Sequence, residues 1–225
     1  MKNIIITGTS RGIGLELALK LANAGHHILA LSRHIADEFK DLENITALSV
    51  DLSSEKDIEK VAQFLENKWT KIDAIIHNAG ALILKPFAET TAADFDNIYK
   101  VNVFGMANLT RISIPYLSKG SHVVSISSMG GIQGSMKFAG LSAYSSSKGA
   151  LITLSELLAE EYKEQGIAFN VLALGAVNTE MLAEAFPGYV APLSASEMAN
   201  YIADFALTGH KFFNGKVLQV SASTP

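Results

Sequence analysis

The chain has 225 residues, 48% of them hydrophobic, with a formal net charge of −4 and no cysteine. That length can bury one sizeable core; the charge gives no general attraction to nucleic acid or anionic lipid, and the missing cysteine excludes disulfides, thiolate metal sites and a cysteine nucleophile. No apolar run approaches the roughly 18 residues of a membrane span, and MKNIIITGTS breaks at Gly8 before it could serve as a secretory leader, so the expectation is a cytoplasmic protein with no membrane, nucleic-acid or metal partner, in which the Asn-x-Ser/Thr matches at Asn44 and Asn108 carry no glycan.

Asn3–Thr7 is apolar enough to predict a first strand covered on both faces. It runs directly into TGTSRGIG, and helical periodicity follows over Ile13–Ala24. A glycine turn between a strand and a helix suits phosphate. Glycine lets the backbone approach a ligand closely, and the free N–H groups and positive dipole end of the helix attract a pyrophosphate. The candidate cradle is Gly8, Ser10, Arg11, Gly12, Ile13 and Gly14. Its spacing, G-x-x-x-G-x-G, is neither the common G-x-G-x-x-G fingerprint nor a Walker motif, which argues against a nucleotide triphosphatase.

The second strand, His27–Leu31, leads into Ser32-Arg33-His34. NAD-binding proteins commonly place a carboxylate there for the ribose hydroxyls, and it would repel a 2′-phosphate. Ser32 and Arg33 would bind one, with Arg11 converging from the glycine turn, so NADP(H) is expected in preference to NAD(H). The plainer alternative is two solvated surface arginines.

Further strands are predicted at Ile45–Val50, Ala74–His77, His122–Ile126, Ala168–Ala173 and Val217–Val220. Helices are predicted at Glu55–Lys68, Ala92–Leu117 and Ala143–Glu164, the last closed by Gly166. Seven apolar strands alternating with helices, with no repeat or linker between them, predict an α/β class: a single-domain doubly wound Rossmann fold over residues 1–225, with a seven-stranded parallel sheet and helices on both faces. The least regular stretches, Met129–Ser142 and Glu180–Ser194, follow strands and are the natural substrate walls.

Tyr144-Ser145-Ser146-Ser147-Lys148 opens the long helix. Residues four apart share a helix face, so the ammonium can sit beside the phenol, favour its ionised form and make it a better proton donor. By itself such a pair is more often a surface i,i+4 neighbour. A Ser-Lys hydrolase is disfavoured, because no partnered acid and histidine accompany the serines.

Taken in order, TGTSRGIG, Asp51-Leu52, His77-Asn78-Ala79-Gly80 in place of Asn-Asn-Ala-Gly, Asn102, Ser128 and YSSSK resemble the short-chain dehydrogenase/reductase family from end to end. The resemblance implies an NADPH-dependent oxidoreductase that reduces a ketone or aldehyde to an alcohol. Asn102, Ser128, Tyr144 and Lys148 would be its catalytic set. Tyr144 would be the proton donor, Ser128 a hydrogen-bond donor to the substrate oxygen, Lys148 the holder of the nicotinamide ribose, and Asn102 the residue that kinks its helix and positions a water. It further places Asp51 and Leu52 at the adenine, Asn78, Ala79 and Gly80 along the cofactor, and Val177 and Thr179 at the nicotinamide. A homodimer or homotetramer through the 92–117 and 143–164 helices is implied as well. The alternatives are a 3-oxoacyl thioester reductase and a non-catalytic NADP-binding sensor or scaffold.

Several features depart from the family pattern. Leu174-Gly175 replaces Pro-Gly, the segment from Ser128 to Tyr144 is long, Phe186-Pro187-Gly188 interrupts a short following segment, and Ser221-Ala222-Ser223 stands where Asp-Gly-Gly is common. Ile132, Met136, Phe138, Met181, Leu182 and Phe186 would favour an apolar carbonyl substrate if they line the pocket, and pack the lobe if they do not.

Overall fold

The computed structural model describes residues 1–221. In chain order the elements are β1 (Asn3–Thr7), α1 (Gly12–Asn23), β2 (His27–Ser32), β3 (Ile45–Ser49), α2 (Glu55–Lys68), β4 (Ala74–His77), α3 (Ala92–Tyr99), α4 (Met106–Ser113), β5 (His122–Ser128), α5 (Ser142–Glu161), β6 (Ala168–Leu174), β7 (Val177–Asn178), α6 (Glu180–Ala185), β8 (Leu193–Ser194), α7 (Ala195–Thr208) and β9 (Val217–Val220). The main sheet is ordered β3-β2-β1-β4-β5-β6-β9, and every pair in it is parallel. This is the predicted doubly wound Rossmann architecture.

The consecutive isoleucines of β1 show why the strand reads as an unbroken apolar run. Successive strand side chains point to opposite faces. Ile4 and Ile6 pack with Leu17 and Leu21 of α1 and Met198 and Ile202 of α7. Ile5 packs on the other side with Val61 and Leu65 of α2, Leu109 of α4 and Phe169 of β6. The chain leaves β1 towards β2 and β3, then crosses back to place β4 on the opposite side of β1. The crevice lies beyond the carboxyl ends of β1 and β4, where the strand order reverses.

The expected single helix over Ala92–Leu117 is divided. α3 passes into a π-helical segment, Lys100–Gly105, before α4, and a 3₁₀ turn at Ile114–Tyr116 follows. Asn102, within the π segment, is 2% exposed. Its Oδ1 accepts from the Ala81 N–H at 2.7 Å, and its Nδ2 donates to the Ala81 carbonyl at 3.0 Å and to Ser147 Oγ at 2.9 Å. Turning that amide inward requires one extra residue in the turn, which a π-bulge supplies. Gly105 closes the same segment against Leu52, whose carbonyl a Cβ there would approach to 2.7 Å.

α5 begins at Ser142 and gives way to a 3₁₀ turn, Lys163–Gln165, stopped by Gly166 at φ +71°. α6 lies within the stretch expected to be irregular. α7 announces itself by a capping box, in which Ser194 Oγ accepts from the Glu197 N–H and the Glu197 carboxylate accepts from the Ser194 N–H. Among the described residues no helix is long and apolar enough to cross a membrane. The expectation attached to Ser221-Ala222-Ser223 lies, from Ala222 onward, outside the described residues.

Candidate active site

A cleft of about 940 Å³ opens along the carboxyl ends of the strands. At its floor Gly8 and Gly12 adopt φ +74° and +57°, and a Cβ on Gly14 would run into the Gly8 carbonyl. Arg11 stands at the N-cap of α1 with no side-chain cap, and the first turn holds no acidic residue. The leading N–H groups of α1 and its positive dipole end face the cleft with no acidic residue in the helix's own first turn, while Glu180 and Glu184 of α6 stand beside Gly12 and Arg11. A cradle with no room for side chains and an uncapped helix start fit a dinucleotide pyrophosphate.

The turn is locked to β4 by Thr7, a residue the motif reading passed over. Its Oγ1 accepts from the N–H groups of Asn78 and Ala79 at 3.1 and 2.9 Å. Asn78 Nδ2 returns bonds to the carbonyls of Thr7 and Gly8 at 3.1 and 3.2 Å. Asn78 thus spends its amide on the shape of the glycine turn. Its neighbour His77 is buried, with Nε2 2.9 Å from Thr110 Oγ1, and desolvation lowers its pKa to about 3.

The residues expected at a 2′-phosphate are differently engaged. Ser32 is buried; its hydroxyl donates to the His34 carbonyl at 2.6 Å and accepts from Thr9 Oγ1 at 3.3 Å. Arg11 forms a two-pronged ion pair with Glu184 of α6 at 2.6 and 3.2 Å. Arg33 lines the cleft from the end of β2 and is exposed. Asp51 and Leu52 also line it, with Asp51 Oδ1 accepting from the N–H and hydroxyl of Ser53 at 2.9 and 2.7 Å.

At the chemical end, β5 delivers Ser128, while Tyr144 and Lys148 project from α5 into the same cleft. Lys148 is 4% exposed, and its Nζ donates to the Ile126 carbonyl at 2.8 Å. Removal from water disfavours the ammonium and lowers its pKa to about 8. Nζ lies 5.8 Å from the centroid of the Tyr144 ring. The phenol pKa is raised, because its own burial outweighs a hydrogen bond with Ser128 that acts in the opposite sense. The lowered phenol expected from the i,i+4 spacing is therefore not the net result here: desolvation wins. Gly80 lies against the two polar groups behind the site, where a Cβ would make ordinary contact, 3.4 Å from Lys148 Nζ and 3.6 Å from Asn102 Oδ1.

Ser147, inside the YSSSK motif but unassigned from sequence, connects these parts. It accepts from Asn102 Nδ2 and donates to the Tyr144 carbonyl at 2.7 Å. Val177 is buried in β7, and Thr179 caps α6 by accepting from the Leu182 N–H at 3.3 Å; both line the cleft. Met181 and Leu182 line it too, beside Leu82, Ile83 and Leu84. Phe138 and Phe186 meet edge to face at 6.4 Å and join the two loops expected to be substrate walls.

A glycine cradle at the switch point of a parallel sheet, with a tyrosine and a lysine one helical turn apart beside a serine, defines an oxidoreductase of the short-chain dehydrogenase/reductase type. The chain belongs to that family: residues 2–189 match the model for short chain dehydrogenase. It is 34% identical over 194 residues to the NADPH-dependent pterin aldehyde reductase of Arabidopsis thaliana, covering 82% of this chain and 78% of that one. To the 7alpha-hydroxysteroid dehydrogenase of Escherichia coli K12 it is 33% identical over 190 residues, with 80% and 73% covered. Its fold superposes on 4-hydroxyisoleucine dehydrogenase complexed with NADH at a TM-score of 0.89 and 22% identity, over 99% of this chain and 98% of the other.

Proposed function

We propose that the protein is an NADPH-dependent reductase of small apolar carbonyl compounds in which Tyr144 is the proton donor. One observation carries this reading: Ser128, Tyr144 and Lys148 line one cleft, with the buried Lys148 ammonium 5.8 Å from the centroid of the phenol ring.

A carbonyl oxygen set between Ser128 and Tyr144 receives two hydrogen bonds, which strengthen as negative charge grows on it. A nicotinamide held by Asn78, Ala79, Gly80, Val177 and Thr179 would supply hydride to the carbonyl carbon. The Tyr144 O–H bond breaks as the alcohol O–H bond forms, and the cation of Lys148 stabilises the phenolate until solvent returns a proton. Burial holds the phenol in its protonated, donating form, and the ammonium persists at neutral pH because its pKa is about 8. Asn102, through Ala81 and Ser147, keeps the π segment and α5 in register behind the pair.

In this reading Gly8, Ser10, Gly12, Ile13 and Gly14 hold the pyrophosphate, Asp51 and Leu52 the adenosine end, and Asn78, Ala79, Gly80, Val177 and Thr179 the nicotinamide end. Preference for the 2′-phosphate is supported by Arg33 at the cleft and by the missing carboxylate after β2, and by similarity to a relative whose name specifies NADPH. Ser32 contributes once its hydroxyl proton exchanges the His34 carbonyl for a phosphate oxygen, and Arg11 contributes once it exchanges Glu184 for phosphate. Residues 1–225 act as one catalytic domain in the cytoplasm, and exposed Phe104 and Leu157 support a homodimer or homotetramer.

The test follows NADPH and NADH oxidation across a carbonyl panel for the parent, Tyr144→Phe and Arg33→Ala. Tyr144→Phe should lose about 100-fold or more in turnover, and Arg33→Ala should weaken NADPH but not NADH. Parent-level turnover by Tyr144→Phe would refute the mechanism. Tight dinucleotide binding without turnover on any carbonyl would favour the sensor reading.

A further inference from the structure

The long segment between Ser128 and α5 is organised around a lysine that takes no direct part in the cleft. The Lys137 ammonium donates to the Gly130 carbonyl at 2.8 Å, the Ile132 carbonyl at 2.5 Å and Ser135 Oγ at 2.8 Å. Ser135 Oγ in turn lies 2.6 Å from the Met129 carbonyl, to which it donates. An ammonium has three donors and no acceptor, so these contacts saturate it. A residue on the exposed side of the loop is thereby turned back onto the first residues after β5.

The turn it grips is the one that touches the chemical groups. The Gly130 N–H donates to Ser128 Oγ at 3.2 Å. Gly130 and Gly131 lie flat on α5. A Cβ on Gly130 would stand 2.8 Å from Ser145 Oγ, and one on Gly131 would stand 2.8 Å from the Lys148 carbonyl carbon and 2.9 Å from the Gly149 nitrogen. Ser128 has one hydroxyl proton and two acceptor positions. With the Gly130 N–H on one acceptor position, the orientation of the hydroxyl is fixed relative to the Tyr144 oxygen it meets. Movement of Gly130 would release that constraint and open the turn from the helix that carries Tyr144 and Lys148.

We propose that Lys137 is a positioning residue for proton transfer: by holding the Gly130 carbonyl directly and the Met129 carbonyl through Ser135, it fixes the Met129–Gly130 peptide, whose N–H sets the Ser128 oxygen beside Tyr144. This rests on the role proposed above for Ser128.

The experiment is steady-state kinetics on the full chain, with cofactor and carbonyl each varied, for Lys137→Met, Lys137→Arg, Ser128→Ala and the Ser128→Ala/Lys137→Met double variant, each checked by its melting curve. Lys137→Met should lower kcat about 10-fold with the cofactor KM unchanged, as expected for a displaced rather than a missing catalytic group. Lys137→Arg should stay within about 3-fold of the parent, because guanidinium can serve the same carbonyls. In the Ser128→Ala background the methionine change should alter kcat by less than about 2-fold, since the two residues act through one contact. Equal losses in both backgrounds, an unchanged kcat in Lys137→Met, or a loss confined to the cofactor KM would overturn the assignment. Lys137→Gln carries the same cycle if the methionine variant melts early. Parent-like turnover by Ser128→Ala alone would instead remove the reading of Ser128, so the two failures are separable.

Discussion

Replacing Lys148 with methionine should stabilise the protein at neutral pH while removing its turnover. The ammonium is 4% exposed and has one hydrogen bond, to the Ile126 carbonyl at 2.8 Å. Its pKa falls from 10.5 to about 8 on folding, and at about 1.36 kcal/mol per unit the charged form costs about 3 kcal/mol. Methionine is of similar length and needs no solvation, but it leaves the Ile126 carbonyl without its donor, which costs about 1 kcal/mol. The net gain is about 2 kcal/mol. Its sign is set by linkage: the folded pKa lies below the unfolded one, so the penalty is fully present below pH 8 and fades as pH rises towards 10.5. Urea unfolding of parent and variant at pH 7 and at pH 10 measures both parts. A variant less stable than the parent at pH 7, or a gain of equal size at both pH values, would refute the reasoning.

Acid sensitivity should follow from two buried histidines. His122 donates from Nδ1 to the Ala206 carbonyl at 3.0 Å and accepts at Nε2 from Asn170 at 2.9 Å, and burial lowers its pKa to about 4, as it lowers that of His77 to about 3. Stability is therefore lost as pH falls below 6.5, by about 3 kcal/mol for His122 at pH 4; His122→Gln should unfold at lower pH in an acid titration followed by circular dichroism, and an unmoved midpoint would contradict the burial argument. Glu184→Gln should change stability by less than about 1 kcal/mol, since its ion pair with Arg11 is exposed. It should tighten NADPH but not NADH in fluorescence titrations by freeing the guanidinium; equal effects on both cofactors would detach Arg11 from the 2′-phosphate. Asn102→Ala should cost about 1 kcal/mol in urea unfolding because the part-buried Ala81 N–H and carbonyl lose their partners, and a neutral result would mean that the π segment is held by other contacts.

The sheet was legible because each parallel strand is buried on both faces and so reads as an apolar run, as Ile4–Ile6 does. The divided helix was less so. Periodicity continues through Lys100–Gly105, and only Asn102, a polar residue in an apolar stretch, marks the bulge. α7 could have been placed from the Ser194-x-x-Glu197 capping box, whereas α6 is short and held by a threonine cap and the contact of Glu184 with Arg11. Within the site, the glycine turn and the Tyr144–Lys148 spacing are local patterns and were readable. The Thr7–Asn78 lock, the place of Ser147 and the grip of Lys137 join residues distant in sequence or depend on loop conformation, and no local pattern encodes them. Charge engagement was equally hidden: nothing in TGTSRGIG tells that Arg11 meets a carboxylate 173 residues away.

The direction of the two pKa shifts bears on how the site works. Burial disfavours charge on both groups, so it raises the phenol and lowers the ammonium. Near neutral pH the phenol remains protonated and Lys148 remains charged, which is the pairing proton donation requires. Proton abstraction from an alcohol requires the phenolate, and that form is penalised by the same desolvation. Ser128 opposes the penalty on Tyr144, while the Lys148 ammonium donates to a neutral carbonyl, that of Ile126. On the proposed mechanism this pairing would favour reduction, and higher pH would favour oxidation by ionising Tyr144.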